Sequence, residues 1–298
     1  MAKIKTDILK CSKCGGNLAF YPEGKCLKCV DCNNTTDIVC DKSYTKKNLD
    51  EADKMIVASQ EWATEVKSMS CPNCGAMVVL SKFDLASVCP YCNTPMVASK
   101  EEFVGMKPDA IIPFAFGKEK ANEIFRTQMK KKFFAPNKFK RNIPQSDIQG
   151  YYFPTFAFDA DAVTLYHGVL ERDETHTNSK GQSVTKTYTF TINGTHTDRF
   201  RNEEVETSQK LNQMELNSVK PYFFEKAYDY SSAFVAGYPV ECYSTNLNDS
   251  WKIAESEFKA IIKQNILSGY TYSRVKSFSM TTKFANQKYI YAMLPMYR

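Results

Sequence analysis

The sequence predicts two small, β-rich four-cysteine zinc ribbons followed by an α+β body with an antiparallel sheet. Three observations carry this prediction: a cysteine pattern that occurs twice near the N-terminus, a change to aromatic-rich segments at about residue 105, and helix and strand periodicities beyond it. With 298 residues, 43% of them hydrophobic and 24% charged, the chain has the composition of a globular protein of two or three domains.

The repeated pattern is a pair of C-x-x-C motifs separated by fourteen residues, and its second copy follows the first by sixty residues. Four thiolates at this spacing can surround one zinc ion, because a tight turn presents each pair. Iron can occupy a similar site, so the metal itself stays open here. We predict two Zn²⁺ per chain, held by Cys11, Cys14, Cys29 and Cys32 in the first ribbon and by Cys71, Cys74, Cys89 and Cys92 in the second.

Three further cysteines, Cys26, Cys40 and Cys242, do not fit the repeat. Cys26 could replace Cys29 if the turn shifted, but the spacing in the second ribbon favours Cys29, which leaves all three as spare thiols. Ten of the eleven cysteines lie in the first third of the chain, and no export signal precedes them. Metal binding in a reducing, cytoplasmic setting is therefore expected rather than disulfide formation.

The predicted domain boundaries follow these changes in composition. We expect ribbon 1 over residues 1–45, a linker helix over 46–68, ribbon 2 over 69–100 and the body over 105–298. The linker has no proline or glycine from Asn48 to Lys67 and places apolar residues at helical spacing. No stretch of about eighteen apolar residues, the length that crosses a bilayer, occurs in the chain.

Periodicity and turn residues predict the elements of the body. Asn193-Gly194 is a hairpin-turn signal, and Asn248 or Asp249 can cap the second helix. The predicted elements are an edge strand at Ile111–Phe114, a helix from Gly117 to Phe134, a strand from Tyr151 through Tyr166, a strand from Ser183 to Ile192, a helix from Asp249 to Leu267, and strands over Tyr270–Phe284 and Tyr289–Tyr297.

A weaker repeat suggests that the body contains a duplicated strand-helix-strand unit, with halves at 105–200 and 220–298. In both halves the last strand carries a proline among hydrophobic residues, Pro154 in the first and Pro295 in the second. The first half continues past its proline into a long strand, whereas the second stops at Arg298. We therefore expect the natural chain to continue beyond this residue.

The charge of the chain gives little support for nucleic-acid binding. Each four-thiolate zinc site contributes about −2, so the formal net charge of +6 falls to about +2 when both sites are filled. Residues 101–141 are locally basic, with ten Lys/Arg against five Asp/Glu. A solvated helix end and loop explain such a run more simply than a nucleic-acid site does.

Five body motifs occur in order along the chain: Ile111-Ile112-Pro113-Phe114, Ile148 to Pro154, Lys220-Pro221-Tyr222-Phe223, Ala236-Gly237-Tyr238 and Leu294-Pro295. Together with the two ribbons, they resemble a family of bacterial, mainly Firmicute, double zinc-ribbon proteins, often labelled transcription factor IIB-type zinc ribbon or primosomal-helicase-like. This resemblance implies an adaptor beside stomatin/prohibitin/flotillin-type or phage-shock-type membrane proteins, held at the inner face of the membrane through a partner or a C-terminal segment that this chain lacks. The chain has Phe156 and Tyr297 where family members commonly have tryptophan.

Three functional classes follow from these observations, and none of them is an enzyme. Four cysteines close each metal site, and no phosphate-binding G-x4-G-K-[ST] loop supports a helicase motor. A non-enzymatic adaptor that docks protein partners is the preferred function. A nucleic-acid-binding protein of replication or transcription is the alternative, and a redox sensor using the spare thiols Cys26 and Cys40 ranks last.

Overall fold

The computed structural model describes most of the chain, including every residue of both predicted cysteine quartets. Its described residues form three sheets and two α-helices. The residues that it does not describe are 1–2, 5, 8, 41–43, 52–66, 72, 75–76, 81–83, 90–91, 93, 99–105, 132–147, 209–210, 212–219 and 242.

Sixteen strands and two α-helices make up the described secondary structure, and short 3-10 turns occur at Leu49–Glu51, Phe224–Lys226 and Ser232–Val235. The helices are α1 (Lys118–Lys131) and α2 (Leu247–Ser268). The strands are β1 (Lys3–Ile4), β2 (Thr6–Asp7), β3 (Leu18–Tyr21), β4 (Cys26–Cys29), β5 (Thr35–Asp37), β6 (Lys47–Asn48), β7 (Lys67–Ser70), β8 (Met77–Leu80), β9 (Asp84–Val88), β10 (Pro95–Ala98), β11 (Ala110–Ile111), β12 (Gly150–Thr177), β13 (Ser183–Glu206), β14 (Tyr228–Asp229), β15 (Val240–Glu241) and β16 (Arg274–Tyr297).

The largest sheet has ten strands and runs through both the second cysteine-rich segment and the body. Its order is β14-β11-β16-β12-β15-β9-β10-β2, with β13 paired to β12 and β6 paired to β16. The sheet is mixed rather than antiparallel as predicted, because β11 runs parallel to β16 and β15 runs parallel to β12. Two three-stranded sheets, β3-β4-β5 and β1-β7-β8, complete the fold.

Three long strands pair side by side in this sheet, with β12 between β13 and β16. We call these three strands the arm. The arm bends at bulges on both sides of β12, near Asp159, where Asn202 and Asn286 adopt positive φ values. The predicted break before Tyr289 is therefore wrong: Asn286 sits in a bulge, donates to the Asp161 carboxylate at 2.7 Å, and β16 continues as one strand.

The predicted hairpin turn at Asn193-Gly194 is also wrong, because both residues lie inside β13. Tyr166 of β12 packs against Gly194, where a Cβ would come within 2.9 Å of the tyrosine oxygen. The chain turns instead around Asn178, whose side-chain oxygen accepts hydrogen bonds from the N–H groups of Lys180 and Gln182, each at 2.9 Å. Tertiary packing thus overrides a local turn signal.

Helix α2 covers one face of the arm through a stripe of apolar residues. Phe258 stacks on Phe200 of β13 with ring centroids 4.1 Å apart, and Trp251 packs edge-on to Phe284 of β16. The cap is Asn246 rather than the predicted Asn248 or Asp249; its side chain accepts from the Asp249 N–H. The buried residues of α2 are Leu247, Ser250, Ala254, Phe258, Ile262, Ile266 and Leu267.

Helix α1 lies on the outside of the body. Of its predicted apolar face, Ala121 is buried, Phe125 and Met129 are half-buried, and Ile124 is exposed. Its first turn is held by Glu23 of the first cysteine-rich segment, whose carboxylate accepts from the Gly117 N–H at 2.7 Å. The predicted residues 132–134 lie outside the described part of the chain.

Other predicted elements have mixed outcomes. Strand β11 is flanked by β14 and β16, so it is not an edge strand. The duplicated strand-helix-strand unit is not confirmed. Strand β11 of the first half pairs with β16 of the second half, and β15 of the second half pairs with β12 of the first half. Residues 52–66 of the predicted linker helix are outside the described residues, and its described ends form β6 and β7. Among the described residues, none of the helices has the length and apolar character of a membrane span.

Candidate metal centres

The structure brings each predicted cysteine quartet together in space. In both quartets the four sulfur atoms lie within 4.8 Å of one another. The Cys11–Cys32 and Cys14–Cys29 sulfur atoms are 3.7 and 3.5 Å apart in the first quartet. The equivalent distances in the second quartet, Cys71–Cys92 and Cys74–Cys89, are 3.6 and 3.7 Å.

These distances fit a tetrahedral metal ion and exclude disulfides. Zinc–sulfur bonds of about 2.3 Å give sulfur–sulfur edges of about 3.8 Å in a tetrahedron, whereas a disulfide needs about 2.05 Å. The described cysteines are all free. The two groups could therefore hold metal ions, and four closed thiolate ligands are consistent with structural zinc.

Tight turns at Gly15 and Asn33 present the sulfur atoms of the first quartet. Gly15 has φ of +73°, and its N–H donates to the Cys11 carbonyl at 2.8 Å. Asn33 has φ of +60°, and its N–H donates to the Cys29 carbonyl at 3.1 Å. At the adjoining Gly16, a Cβ would lie 2.0 Å from an Asp31 carboxylate oxygen and 3.1 Å from the Cys29 sulfur, so a larger residue there would displace Asp31 and crowd the metal ligand.

The residue two positions after the last cysteine has the same role in both ribbons. The Asn34 carbonyl accepts from the Cys29 N–H at 2.8 Å, and the Thr94 carbonyl accepts from the Cys89 N–H at 2.9 Å. Both side chains also approach a ligand sulfur: the Thr94 hydroxyl is 3.0 Å from the Cys92 sulfur, and the Asn34 amide is 3.9 Å from that of Cys11. These contacts orient the ligands, as outer-shell hydrogen bonds do at metal sites.

One hydrogen bond connects the surroundings of the two quartets. The Asn17 side-chain amide, in the first ribbon, donates to the Thr94 hydroxyl at 3.1 Å. Thr94 is only 1% exposed, so water has little access to this contact. Sequence reasoning missed both residues, although the sixty-residue repeat places Thr94 at the position of Asn34.

Hydrogen bonds shift the pKa of three of the quartet thiols. The Thr94 hydroxyl lowers the pKa of Cys92 to about 6, and the backbone N–H groups of Lys13 and Cys14 lower the pKa of Cys11 to about 7. The Gly16 N–H acts to lower the pKa of Cys14, but hydrogen bonds to neighbouring thiols outweigh it and raise this pKa to about 12. A dication bound among the four sulfur atoms would favour the thiolate form of all of them.

The spare cysteines lie outside the quartets. Cys26 is buried in β4, next to Asp37 on β5, and Cys29 rather than Cys26 belongs to the first quartet. Cys40 is half-buried against the main core. Cys242 lies outside the described residues.

The first ribbon packs directly on the body. Phe20 of β3 contacts Phe234 edge-on with ring centroids 5.3 Å apart, and the Phe20 N–H donates to the Ala236 carbonyl at 2.9 Å. Cys11 and Cys29 share a small apolar cluster with Ala236. The first metal centre is therefore continuous with the packing of the body.

Comparison with known proteins finds similarity to a protein whose function is not described. The chain is similar to the uncharacterized protein YdjG of Bacillus subtilis (strain 168), with 25% identity over 292 residues that cover 97% of this chain and 81% of YdjG. No protein-family model matches the chain. No solved structure matches it either.

Proposed function

We propose that the protein is a non-enzymatic, zinc-binding adaptor that docks protein partners. Each quartet offers four thiolates to its own metal ion, and a site closed by four thiolates leaves no coordination position for a substrate. Zinc would then stabilise the ribbons, since small ribbons bury little apolar surface of their own. The structural feature that carries the docking proposal is a cleft on the body.

This cleft has a volume of about 330 Å³ and is formed by four segments that are far apart in the sequence. Pro113, Pro221 and Pro295 each contribute to its wall, and they belong to three of the motifs on which the family resemblance depends. Aromatic side chains add flat apolar surface, and Phe223 is 55% exposed beside the opening. The aromatic lining residues are Phe114, Phe116, Tyr222, Phe223, Tyr228 and Tyr297.

The chemistry of the lining suits an extended peptide. Rings of proline and aromatic residues form rigid apolar walls of the kind that accept proline or aliphatic side chains of an extended segment. Lys25, from the first ribbon, and Lys226 add positive charge, against one acid, Glu225. We therefore propose that the docked segment is apolar with acidic residues beside it, and that the first ribbon forms part of the docking surface.

The family resemblance supplies a class of partner. We propose a stomatin/prohibitin/flotillin-type or phage-shock-type membrane scaffold protein, which would hold this chain at the inner face of the membrane. The test is a cross-linked pull-down from native host cells with the full chain as bait. Scaffold proteins of this class should be recovered with the wild type and reduced at least tenfold by Phe223→Ser.

Tyr272→Ser provides the matched control, since Tyr272 is an exposed aromatic residue outside the cleft. Its recovery of scaffold proteins should equal that of the wild type. The proposal fails if no protein of this class is recovered, or if Phe223→Ser recovers as much as the control.

Nucleic-acid binding is the second candidate, and helix α1 is the observation that favours it. The helix carries five basic and two acidic residues, and Arg126, Lys130 and Lys131 are exposed. Phosphate contacts release counterions, so such binding would weaken steeply with salt. In a salt-titrated assay we expect no binding to DNA or RNA near physiological salt. Micromolar binding that disappears in Lys130→Glu/Lys131→Glu would replace the adaptor proposal.

A further inference from the structure

The outer edge of the arm strand β13 has no partner in the described part of the chain, where β13 pairs only with β12. From Thr187 to Thr197 this strand contains no Asp, Glu, Lys, Arg or Pro. The segment is rich in threonine and aromatic residues, which favour β-structure. An open edge of this length exposes a row of backbone N–H and C=O groups that can pair with another strand.

The opposite edge of the same arm is protected. Strand β16 carries Arg274, Lys276 and Lys283 along the part that extends beyond β6 and β11. Lysine and arginine on an edge strand oppose pairing with another chain, because an approaching strand would bring like charges together. The two edges of one three-stranded arm therefore differ in chemistry: β13 has eleven consecutive residues without Asp, Glu, Lys or Arg from Thr187 to Thr197, whereas β16 has six between Lys276 and Lys283.

One exposed apolar residue of α2, Ile261, lies on the β13 side of the arm. Lys263 and Trp251 of α2 contact Phe278 and Phe284 of β16, whereas Asn265 donates to Asp198 of β13 at 2.8 Å. Ile261 precedes Asn265 by one helical turn, so it faces the β13 side; it is 38% exposed. The helix therefore presents an exposed apolar side chain on the same side of the arm as the unpaired strand edge.

We propose that β13 pairs edge to edge with β13 of a second copy of this chain, so that two arms form one six-stranded antiparallel sheet. A twofold axis at Ile192 would place Lys186 opposite the partner's Asp198, and the same contact would recur across the axis. Asn265 and His196 hold Asp198 in position at this end of the edge. Opposite charges across an antiparallel pair stabilise it.

The remaining pairs in this register are compatible with close pairing. Thr189 would face the partner's Thr195, and Thr187 would face the partner's Thr197, which are favourable threonine pairs in antiparallel sheets. Phe190 would lie opposite the partner's Gly194, which has no side chain of its own to oppose the ring and is covered by Tyr166 of its own chain. The twofold axis would also bring the Ile261 sides of both α2 helices towards each other.

The experiment measures the mass of the zinc-loaded full chain by light scattering and sedimentation between 1 and about 100 µM, a range that spans ordinary dimer affinities. The wild type should have a mass near 68 kDa, twice the 34.0 kDa of one chain. The variant Thr189→Lys/Thr195→Lys puts two like-charge pairs across the axis and should be monomeric, with association weakened at least tenfold. The variant Thr189→Lys/Thr195→Glu turns both pairs into opposite charges and should restore the dimer.

The matched control is Ser279→Lys/Thr281→Lys, which adds the same charge to β16 on the same face of the arm and should remain dimeric. A wild type that is monomeric at the highest concentration overturns the proposal. So does a Lys/Lys variant that stays dimeric, or a Lys/Glu variant that fails to recover. If the Lys/Lys variant does not fold, hydrogen exchange of the wild type at two protein concentrations tests the proposal instead. Dilution separates the dimer, so the backbone amides of residues 187–197 should exchange faster in the dilute sample. Equal exchange at both concentrations overturns the proposal.

Discussion

Replacing the Thr94 hydroxyl should weaken zinc binding at the second quartet. In Thr94→Val the side chain keeps its size but loses two contacts, at 3.0 Å to the Cys92 sulfur and at 3.1 Å to the Asn17 amide. Because Thr94 is 1% exposed, water cannot easily replace the hydroxyl. Loss of such an outer-shell partner costs about 10- to 100-fold in metal affinity, and we expect a loss in this range for one of two zinc ions.

The pH at which zinc leaves the second quartet also tests the contact between Thr94 and Cys92. The pKa of Cys92 is lowered from 9.0 to about 6, mainly by Thr94, so its contribution to stability is fully present above pH 9 and is lost as the pH falls through 6. Thr94→Val should raise the pKa of Cys92. Zinc should then leave the second quartet at a higher pH than in the wild type.

Competition with a chromophoric chelator on the full chain measures both effects, and the same titration in a Cys11→Ser/Cys14→Ser background, which lacks two ligands of the first quartet, assigns them to the second quartet. Thr36→Val is the matched control, since Thr36 is exposed on β5 of the first ribbon. Asn17→Ala removes one of the two Thr94 contacts and should have a smaller effect. If Thr94→Val lowers the zinc affinity of the second quartet by less than about threefold, or by no more than the control does, the hydroxyl does not have this role.

Three further predictions concern metal content, the arm and a buried carboxylate. Metal analysis of the purified chain should find about two zinc ions, and a strong chelator should unfold both ribbons, as judged by loss of protease resistance; one zinc or none would contradict the two centres. Phe258→Ala, at a site 1% exposed, should lower the free energy of unfolding in urea by about 3–5 kcal/mol, whereas Ile253→Ala, at a site 44% exposed, should change it by much less. Burial raises the pKa of Glu204 from 4.5 to about 7, so its contribution to stability is fully present below pH 4.5 and is lost as pH rises through 7. Glu204→Gln should remove this part of the pH dependence of the free energy of unfolding. A variant whose free energy of unfolding depends on pH as in the wild type would contradict this prediction.

Local patterns predicted the features that depend on a few neighbouring residues. The repeated spacing selected Cys29 over Cys26, and the quartet geometry agrees with that choice. Helix α2 was placed to within two residues at each end, because its apolar period and capping residues are local signals. Patterns that compete with packing were less informative: Asn193-Gly194 is a strong turn signal, yet Tyr166 holds Gly194 inside a strand.

The sequence by itself determined the eight thiols that meet in two quartets and the principal helix, because turn geometry and helical periodicity depend on residues close in the chain. Only the tertiary structure decided that β11 and β15 join the sheet in parallel, and that prolines from three distant motifs line one cleft. It also decided that the outer edge of β13 pairs with no other described strand, while the β16 edge carries cations. These features depend on contacts between segments separated by up to about two hundred residues, and neither spacing nor periodicity encodes which distant segments will meet.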